Sequence, residues 1–193
     1  MVEMHINREA AWSLLTEFVR SDSLRRHCLG VETAMRAYAR RLGEPEEDWG
    51  FVGLIHDFDY EIHPTLDEHP QAGFPILRER GVPEWVIDAV ASHADHLDVP
   101  RDTPLKRTLY AVDELSGFVS AVAFVRPSRS VCDVTVSSVR KKMKDKAFAR
   151  AVDREAMVVG AALLGVELDE HIGVVLEAMQ RNATELGLAG AAS

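Results

Sequence analysis

The stretch FVGLIHDFDYEIHPTLDEHP, residues 51–70, runs from an apolar segment straight into a cluster of imidazoles and carboxylates. The apolar part, Phe51 to Ile55, is followed directly by His56 and Asp57. An apolar helix is expected to enter the core, so it would carry the His-Asp pair inside with it. Because buried ionisable groups are costly unless they pair with each other or hold a metal ion, the stretch predicts a buried polar or metal site.

Further residues of the same ligand types fall on predicted helix faces that also carry apolar residues. They are His27, His69, His93 and Asp113. Together with His56 and Asp57, they place imidazole or carboxylate groups from five predicted helices at one interior. Any one buried histidine is more often a hydrogen-bonded core residue, so the prediction depends on the combination. Imidazole and carboxylate ligands suit iron, manganese, zinc, cobalt or magnesium, and a histidine-rich set favours a transition metal.

The segments that must position these residues are predicted to be almost entirely helical. From the caps and stop residues we predict helices over about 7–19, 23–43, 45–57, 67–80, 83–96, 103–125, 136–150, 153–164 and 169–186. Asn7, Ser23 and Thr103 are the predicted N-caps, because their side-chain oxygens can accept from the first free backbone amides. Pro75 predicts a kink or a late start of the fourth helix, since an interior proline costs roughly 3 kcal/mol. The sequence VCDVTV, residues 131–136, predicts a short extended piece.

The composition limits the classes of function. The 193 residues include 31 acidic and 22 basic side chains, and the formal charge of −9 argues against general nucleic-acid binding. No apolar run approaches the ~20 residues of a membrane span, and the N-terminal residues lack an apolar signal core. Cys28 and Cys132 form neither a disulfide framework nor a zinc-finger spacing. We therefore expect one cytoplasmic, all-α domain over residues 1–193.

The order of the candidate ligands resembles that of the HD-domain superfamily of metal-dependent phosphohydrolases. The defining pattern of that superfamily, His…His-Asp…Asp, is filled here by His27, His56, Asp57 and Asp113. The resemblance implies a single compact HD-domain helical bundle, with a core over about 23–125 and additional C-terminal helices over about 126–190.

Two further segments resemble those that mark the two-metal branches of this superfamily. EHPQAGFPIL at 68–77 carries His69, and VASHAD at 90–95 carries His93. Three other stretches, HDFDYE, YAVDELSGFVSAVAFVRPS and RKKMKDKAFA, resemble an uncharacterised subfamily of HD hydrolases. The resemblance therefore implies one or two divalent ions, of iron, manganese or another transition metal, with magnesium as an alternative.

The activity that the resemblance implies is hydrolysis of a phosphate ester of a nucleotide or other small phosphorylated molecule by metal-activated water. Asp57 would bridge two ions. The first metal site would be completed by His27, His56 and Asp113, and the second by His69 and His93.

Residues near these ligands are candidates for supporting roles. Asp57 is a candidate catalytic residue, as are Asp59 and Glu61, whose carboxylates could orient ligand imidazoles or a water molecule. A solvated acidic loop is the alternative interpretation of Asp59 and Glu61. The cyclic-dinucleotide branch carries Gly-Tyr-Pro after a His-His pair, whereas this chain has SHADHLDVP at 92–100, which disfavours cyclic-di-GMP hydrolysis. His96 in that segment is a candidate contact to a ligand or to the substrate.

A phosphate group also needs a positive partner, and two basic segments offer one. The candidate substrate-binding residues are Arg126, Arg129, Arg140, Lys141 and Lys144. Arginine suits the geometry of phosphate oxygens, and a basic run is unusual in an acidic protein. A solvated helix face is the alternative interpretation of the run at 140–146.

Two other classes of function stay open at this point. Some HD-fold proteins with the same six ligands are di-iron oxygenases, and the ligand set does not separate them from hydrolases. The basic segments favour phosphate chemistry. A non-catalytic HD signalling domain is the third alternative, although such domains typically have incomplete ligand sets and all six positions are filled here.

Overall fold

The computed structural model describes residues 4–190. Within that range the protein is all-helical, as predicted, and has nine α-helices, three short 3-10 helices and a single isolated antiparallel bridge between Ser130 and Ala189. The helices are α1 Arg8–Phe18, α2 Asp22–Leu42, α3 Glu46–Ile55, α4 Phe74–Glu79, α5 Glu84–Ala91, α6 Pro104–Phe124, α7 Val136–Met143, α8 Arg154–Leu163 and α9 Leu168–Arg181. No helix among these residues is long and apolar enough to cross a membrane.

Several helix ends follow from local sequence chemistry. The side chain of Asn7 accepts from the amide of Ala10, and that of Thr103 accepts from the amide of Lys106, as predicted for two N-caps. Helix α2 is capped by Ser21 and not by the predicted Ser23, so it begins two residues earlier. It ends at Gly43, whose φ of +73° is readily available only to glycine.

The structure corrects several other boundaries. Residues 67–70 form turns and Gln71–Gly73 form a 3-10 helix, so α4 starts late and Pro75 lies in its first turn, where proline is tolerated. The predicted extended piece at 131–136 is wrong, because Val131–Asp133 form a 3-10 helix capped by the side chain of Ser130. Helices α5, α7 and α9 all end earlier than predicted.

The core is organised around α2 and α6, which pack against each other. Helix α2 also packs against α3 and α9, and α6 also packs against α8. Helix α3 is buried on every side from Trp49 to Ile55. Burying a large apolar side chain such as Phe51 contributes about 1.5–3 kcal/mol, so this helix is firmly anchored.

Gly53 allows α3 to lie close to α2. A Cβ at this position would come within 2.9 Å of the side chain of Met35 and 3.1 Å of the Cα of Glu32. The close crossing of α2 and α3 therefore depends on the missing side chain. It brings the end of α3, and with it His56 and Asp57, against the first turns of α2.

Candidate metal centre

The candidate ligands come from separate parts of the chain and meet on one side of the α2–α6 pair. Helix α2 carries His27, and helix α6 carries Asp113. His56 and Asp57 directly follow α3. His69 precedes the turn into α4, and His93 follows α5 by two residues. The six residues fall into two groups of three.

The first group consists of His27, His56 and Asp113. Each residue offers one ligand atom, and these atoms lie within 4.8 Å of one another. The Nε2 atom of His27 lies 3.0 Å from Oδ1 of Asp113 and 3.2 Å from Nε2 of His56. The Nε2 atom of His56 lies 3.5 Å from the same Asp113 oxygen.

The second group consists of Asp57, His69 and His93, whose ligand atoms also lie within 4.8 Å of one another. The Nε2 atoms of His69 and His93 are 3.2 Å apart. They lie 3.2 Å and 3.5 Å, respectively, from Oδ1 of Asp57.

Asp57 connects the two groups. Its Oδ1 atom faces His69 and His93, whereas its Oδ2 atom lies 3.5 Å from Nε2 of both His27 and His56. Each oxygen of one carboxylate therefore faces a different group, which is the arrangement that a bridging carboxylate requires.

Backbone and side-chain acceptors fix which nitrogen faces inward for three of the four imidazoles, those of His56, His69 and His93. The Nδ1 atom of His56 lies 2.9 Å from the carbonyl of Gly53, and that of His93 lies 2.6 Å from the carbonyl of Val90. A carbonyl oxygen can only accept, so both Nδ1 atoms carry hydrogen. The Nδ1 atom of His69 likewise donates to a carboxylate oxygen. The Nε2 atoms are then left to point at one another.

This geometry fits a bound cation. The inward nitrogens of His69 and His93, 3.2 Å apart, would present two lone pairs to each other unless a proton or a metal ion lies between them. Ligand atoms that share an ion at about 2.0–2.1 Å are separated by roughly 3.0–3.4 Å, so the observed spacing matches one coordination shell. The donor chemistry, imidazole nitrogen with carboxylate oxygen, suits a transition metal.

The electrostatics of the centre also favour positive charge. Burial alone would lower the pKa of His56, but the carboxylates of Asp57 and Asp113 raise it to about 9. Burial likewise opposes a raised pKa of His69, which Asp57 and Asp59 nevertheless raise to about 9. Burial would raise the pKa of Asp57 and of Asp113, yet the surrounding histidines hold both pKa values below the usual range. The two carboxylates thus remain charged and attract protons or metal ions.

Asp59 contacts the second group through the Nδ1 atom of His69, on the side of the ring away from the other candidate ligands. It is fully buried, and its Oδ1 atom accepts a hydrogen bond from Nδ1 of His69 at 2.9 Å. Its other oxygen has no hydrogen-bond partner within the described residues. A Cβ on Gly73 would come within 2.8 Å of this carboxylate, so the glycine allows the close approach. Asp59 therefore holds the ring orientation of His69, in the manner of a carboxylate behind a metal ligand.

A cavity of about 550 Å³ opens over the centre. Five of the six candidate ligands line it, and His56 lies fully buried behind them. The rest of the lining is a mixture of apolar, aromatic and acidic residues with one further histidine. These residues are Tyr60, Leu66, Ala94, Asp95, His96, Tyr110, Glu114, Gly117, Ala151, Val152, Asp153 and Ala156.

Two of the predicted supporting residues take different positions. His96 lines the cavity, and its Nε2 atom lies 3.3 Å from the side-chain oxygen of Gln71. Glu61 does not line the cavity; its carboxylate accepts from the backbone amides of Arg20 and Ser21 at 2.7 Å each. The structure therefore places Glu61 in a structural contact before α2, which does not favour its predicted catalytic role.

The basic residues predicted to bind substrate are not brought to the cavity. Arg126, Arg129, Arg140, Lys141 and Lys144 are all missing from its described lining. Arg129 lies over the ring of Phe124, and Nε of Arg140 pairs with Asp169 at 3.1 Å. The physical reason is that α7 packs against α6 and α9 through its apolar side, which leaves the basic run facing outward.

Sequence reasoning also missed three acidic residues of the lining, Asp95, Glu114 and Asp153. The Oε2 atom of Glu114 accepts from the amide of Asp153 at 3.1 Å. Burial and the neighbouring Asp113 raise the pKa of Glu114 to about 7. The Asp153 carboxylate caps α8, and this capping pattern was the one signal in the sequence that could have drawn attention to it.

Comparison with known proteins agrees with this geometry. Residues 24–117 match the HD domain family, a segment that includes every one of the six candidate ligands. No curated protein and no solved structure shows a significant match to the chain. The protein therefore carries an HD domain over residues 24–117, with further helices on its C-terminal side.

Proposed function

We propose that the protein is a metal-dependent hydrolase of the HD superfamily that cleaves a phosphate ester of a nucleotide or other small phosphorylated molecule. The observation that carries this proposal is the position of Asp57, whose two carboxylate oxygens face two separate groups of imidazole and carboxylate ligands beneath an open cavity. That arrangement suits chemistry in which a water molecule and a phosphate group must be held side by side.

The two metal positions are assigned as follows. The first ion would be held by His27, His56, Asp57 and Asp113, and the second by Asp57, His69 and His93. A bound divalent ion lowers the pKa of a coordinated water and neutralises charge on phosphoryl oxygens.

The protein's own groups keep this centre ready to bind. The carbonyls of Gly53 and Val90 and the carboxylate of Asp59 hold a hydrogen of three imidazoles on Nδ1, so the Nε2 atoms face inward, where a metal ion would take the place of a proton. The ring of Tyr60 packs edge-on against His69, with ring centroids 5.1 Å apart, and covers one side of this imidazole. These contacts position the ligands before any substrate enters.

The C-terminal helices contribute to the same site. We propose a single domain with an HD core over about 23–125 and a helical extension over about 126–190. Ala151, Val152, Asp153 and Ala156 of the extension line the cavity. The extension would therefore shape the space for the organic part of the substrate.

The proposal is tested with protein purified without oxygen, loaded with Mn²⁺ or Fe²⁺, and incubated anaerobically with a panel of nucleotides and sugar phosphates. We expect release of inorganic phosphate from at least one compound, and its loss after chelation of the metal. Absence of phosphate release from the whole panel would contradict hydrolysis.

A di-iron oxygenase is the second candidate, and one observation favours it. The basic segments that favoured phosphate chemistry lie away from the cavity, and none of its described lining residues is lysine or arginine. An oxygenase would require O₂ for turnover and would place an oxygen atom from O₂ in its organic product. The same anaerobic incubation therefore separates the two chemistries. A non-catalytic signalling role is disfavoured, because all six candidate ligand residues come together in two groups of three.

A further inference from the structure

The lining of the cavity has an unusual balance of charge for a site that takes phosphate. It contains five carboxylates, and no lysine or arginine occurs among its described residues. Asp57 and Asp113 belong to the candidate ligand groups, which leaves Asp95, Glu114 and Asp153 beyond the metal centre. Charge-assisted contacts from arginine or lysine are the usual partners of phosphate oxygens, and such partners are missing here.

Two arginines of the described residues contact the lining, and both are engaged: Arg154 donates to the carbonyl of Val152 at 3.2 Å and to other backbone carbonyls, and Arg101 is held by three partners. The guanidinium of Arg101 lies 3.6 Å from the ring centroid of Tyr110 and donates to Oδ1 of Asp95 at 2.6 Å. Its Nε also donates to the carbonyl of Ser92 at 2.9 Å. Arg101 therefore neutralises Asp95 and leaves the other two carboxylates without a cation.

The start of α8 is also closed to anions. A free helix N-terminus is a common phosphate site because its amides point outward. Here the carboxylate of Asp153 occupies that position and accepts from the amides of Glu155 and Ala156 at 2.8 Å and 3.2 Å. Glu114 in turn accepts from the amide of Asp153 itself. Both sources of phosphate affinity outside the metal centre are thus replaced by carboxyl groups, which offer phosphate oxygens no positive charge.

We infer that the cavity takes substrates with a single phosphate group and discriminates against those with a second one, an inference that rests on the hydrolysis proposed above. Glu114 and Asp153 are the specificity-determining residues. The metal centre can neutralise one phosphate group. A second phosphate elsewhere in the cavity would meet the carboxyl groups of Glu114 and Asp153, and no lysine or arginine of the described lining would be available to it. The organic part of the substrate is therefore uncharged or positively charged, and nucleoside di- and triphosphates are poor ligands.

The test uses non-hydrolysable probes, so that it reports binding and not turnover. Phenylphosphonate and para-phenylene bisphosphonate differ by one phosphonate on the opposite side of a rigid ring. Isothermal titration of the Mn²⁺-loaded protein should give about tenfold or more weaker binding of the bisphosphonate. Equal or tighter binding of the bisphosphonate, or no binding of the monophosphonate, would overturn the inference.

Two isosteric variants assign the discrimination to its residues. Glu114→Gln keeps the acceptor for the amide of Asp153, and Asp153→Asn keeps a good helix cap, so both should fold. Each variant should reduce the difference in dissociation constant between phenylphosphonate and para-phenylene bisphosphonate. Glu155→Gln makes the same charge change at an exposed neighbour that does not line the cavity, and it should leave the difference unchanged. An undiminished difference in both cavity variants would refute the assignment.

Failure of this inference and failure of the proposed function give different results. If the protein releases phosphate from esters but binds both probes equally, the specificity inference is wrong and the hydrolase proposal is unaffected. If the protein binds the two probes with clearly different affinities but releases phosphate from no ester, the hydrolase proposal is wrong and the selectivity of the cavity is retained.

Discussion

His56 and His171 are both fully buried histidines, yet their surroundings differ in kind. His171 accepts from the hydroxyl of Tyr38 at Nδ1, at 2.6 Å, and donates from Nε2 to the carbonyl of Ala111 at 2.8 Å. Both of its nitrogens are matched by the protein. The Nδ1 atom of His56 donates to the carbonyl of Gly53, whereas its Nε2 atom faces another imidazole and two carboxylates.

Electrostatics separates the two histidines in the same way. Burial lowers the pKa of His171, which keeps the ring neutral. Carboxylates overcome burial and raise the pKa of His56 to about 9. Burial by itself therefore does not identify a metal ligand. The features that distinguish the candidate ligand His56 are an inward nitrogen that faces another imidazole in place of a backbone or hydroxyl partner, and two carboxylates that attract a cation to it.

The largest effect on metal binding is expected when the carboxylate that both ligand groups share is removed. Asp57→Ala should lose nearly all metal and all phosphate release, because the second group would keep no carboxylate and the first would keep only that of Asp113. Metal per chain, measured by mass spectrometry after desalting, checks this. Asp67→Ala removes an exposed carboxylate ten residues away and should retain full metal. An Asp57 variant with undiminished metal would sink the assignment.

Removing one group only should give a partial effect. His69→Ala and His93→Ala each take one imidazole from the second group and leave the first complete. Metal content should fall toward one ion per chain, with turnover strongly reduced. If both variants keep full metal and full turnover, these two histidines are structural, as His171 is.

A weaker effect is expected one contact further out. Asp59→Asn replaces the carboxylate behind His69 by an amide, which holds the same ring less strongly and contributes no charge. Changes behind a metal ligand typically cost about 10–100-fold in metal affinity. Titration with a competing chelator would measure the change. Unaltered affinity would mean that Asp59 does not orient the ligand.

His171 should affect stability without affecting metal. His171→Leu leaves the hydroxyl of Tyr38 and the carbonyl of Ala111 without partners, at a cost of about 1–3 kcal/mol for each unmatched group. Urea unfolding should show this loss while metal per chain stays unchanged. Adding Tyr38→Phe removes one unmatched group, so the double variant should lose less stability than the two single losses added together. Loss of metal in the single variant would break the comparison.

The smallest effect is a difference in pH dependence in the metal-free protein. The pKa of His171 is lowered on folding, so its contribution to stability is present above its unfolded pKa of about 6.5 and declines as pH falls below it. The pKa of His56 is raised, so its contribution is present below about 6.5 and is lost as pH rises toward about 9. The free energy of unfolding of His171→Leu and of His56→Leu should be compared with that of the wild type across pH. The difference from the wild type should shrink toward low pH for His171→Leu and toward high pH for His56→Leu. Parallel trends would contradict the assigned environments.

The candidate centre could be predicted from the sequence because apolar periodicity constrains direction. His27 and Asp113 share helix faces with core residues, and the apolar run of α3 leads His56 inward. Once those faces meet in one core, the ligands must meet as well. Helix caps such as Asn7 and Thr103 were predictable for a similar reason, since they depend only on local hydrogen bonds.

The residues around the cavity could not be predicted in the same way. Whether the basic face of α7 meets the site depends on how that helix packs on α6 and α9, and the polar pattern of Arg140 and Lys144 carries no information about this. The contact between Glu114 and Asp153 joins positions 39 residues apart and is created by the packing of α8 against α6. The contact of Glu61 with the amides before α2 was equally hard to predict, because an acidic loop residue can as readily accept from a neighbouring backbone as face a ligand.

Anomalous diffraction from crystals grown with Mn²⁺ tests the central claim most directly. The account predicts two anomalous peaks, one beside His27, His56 and Asp113 and the other beside His69 and His93, with Asp57 contacting both. A structure with no peak in the cavity, or with Asp57 turned away from every bound ion, would contradict it.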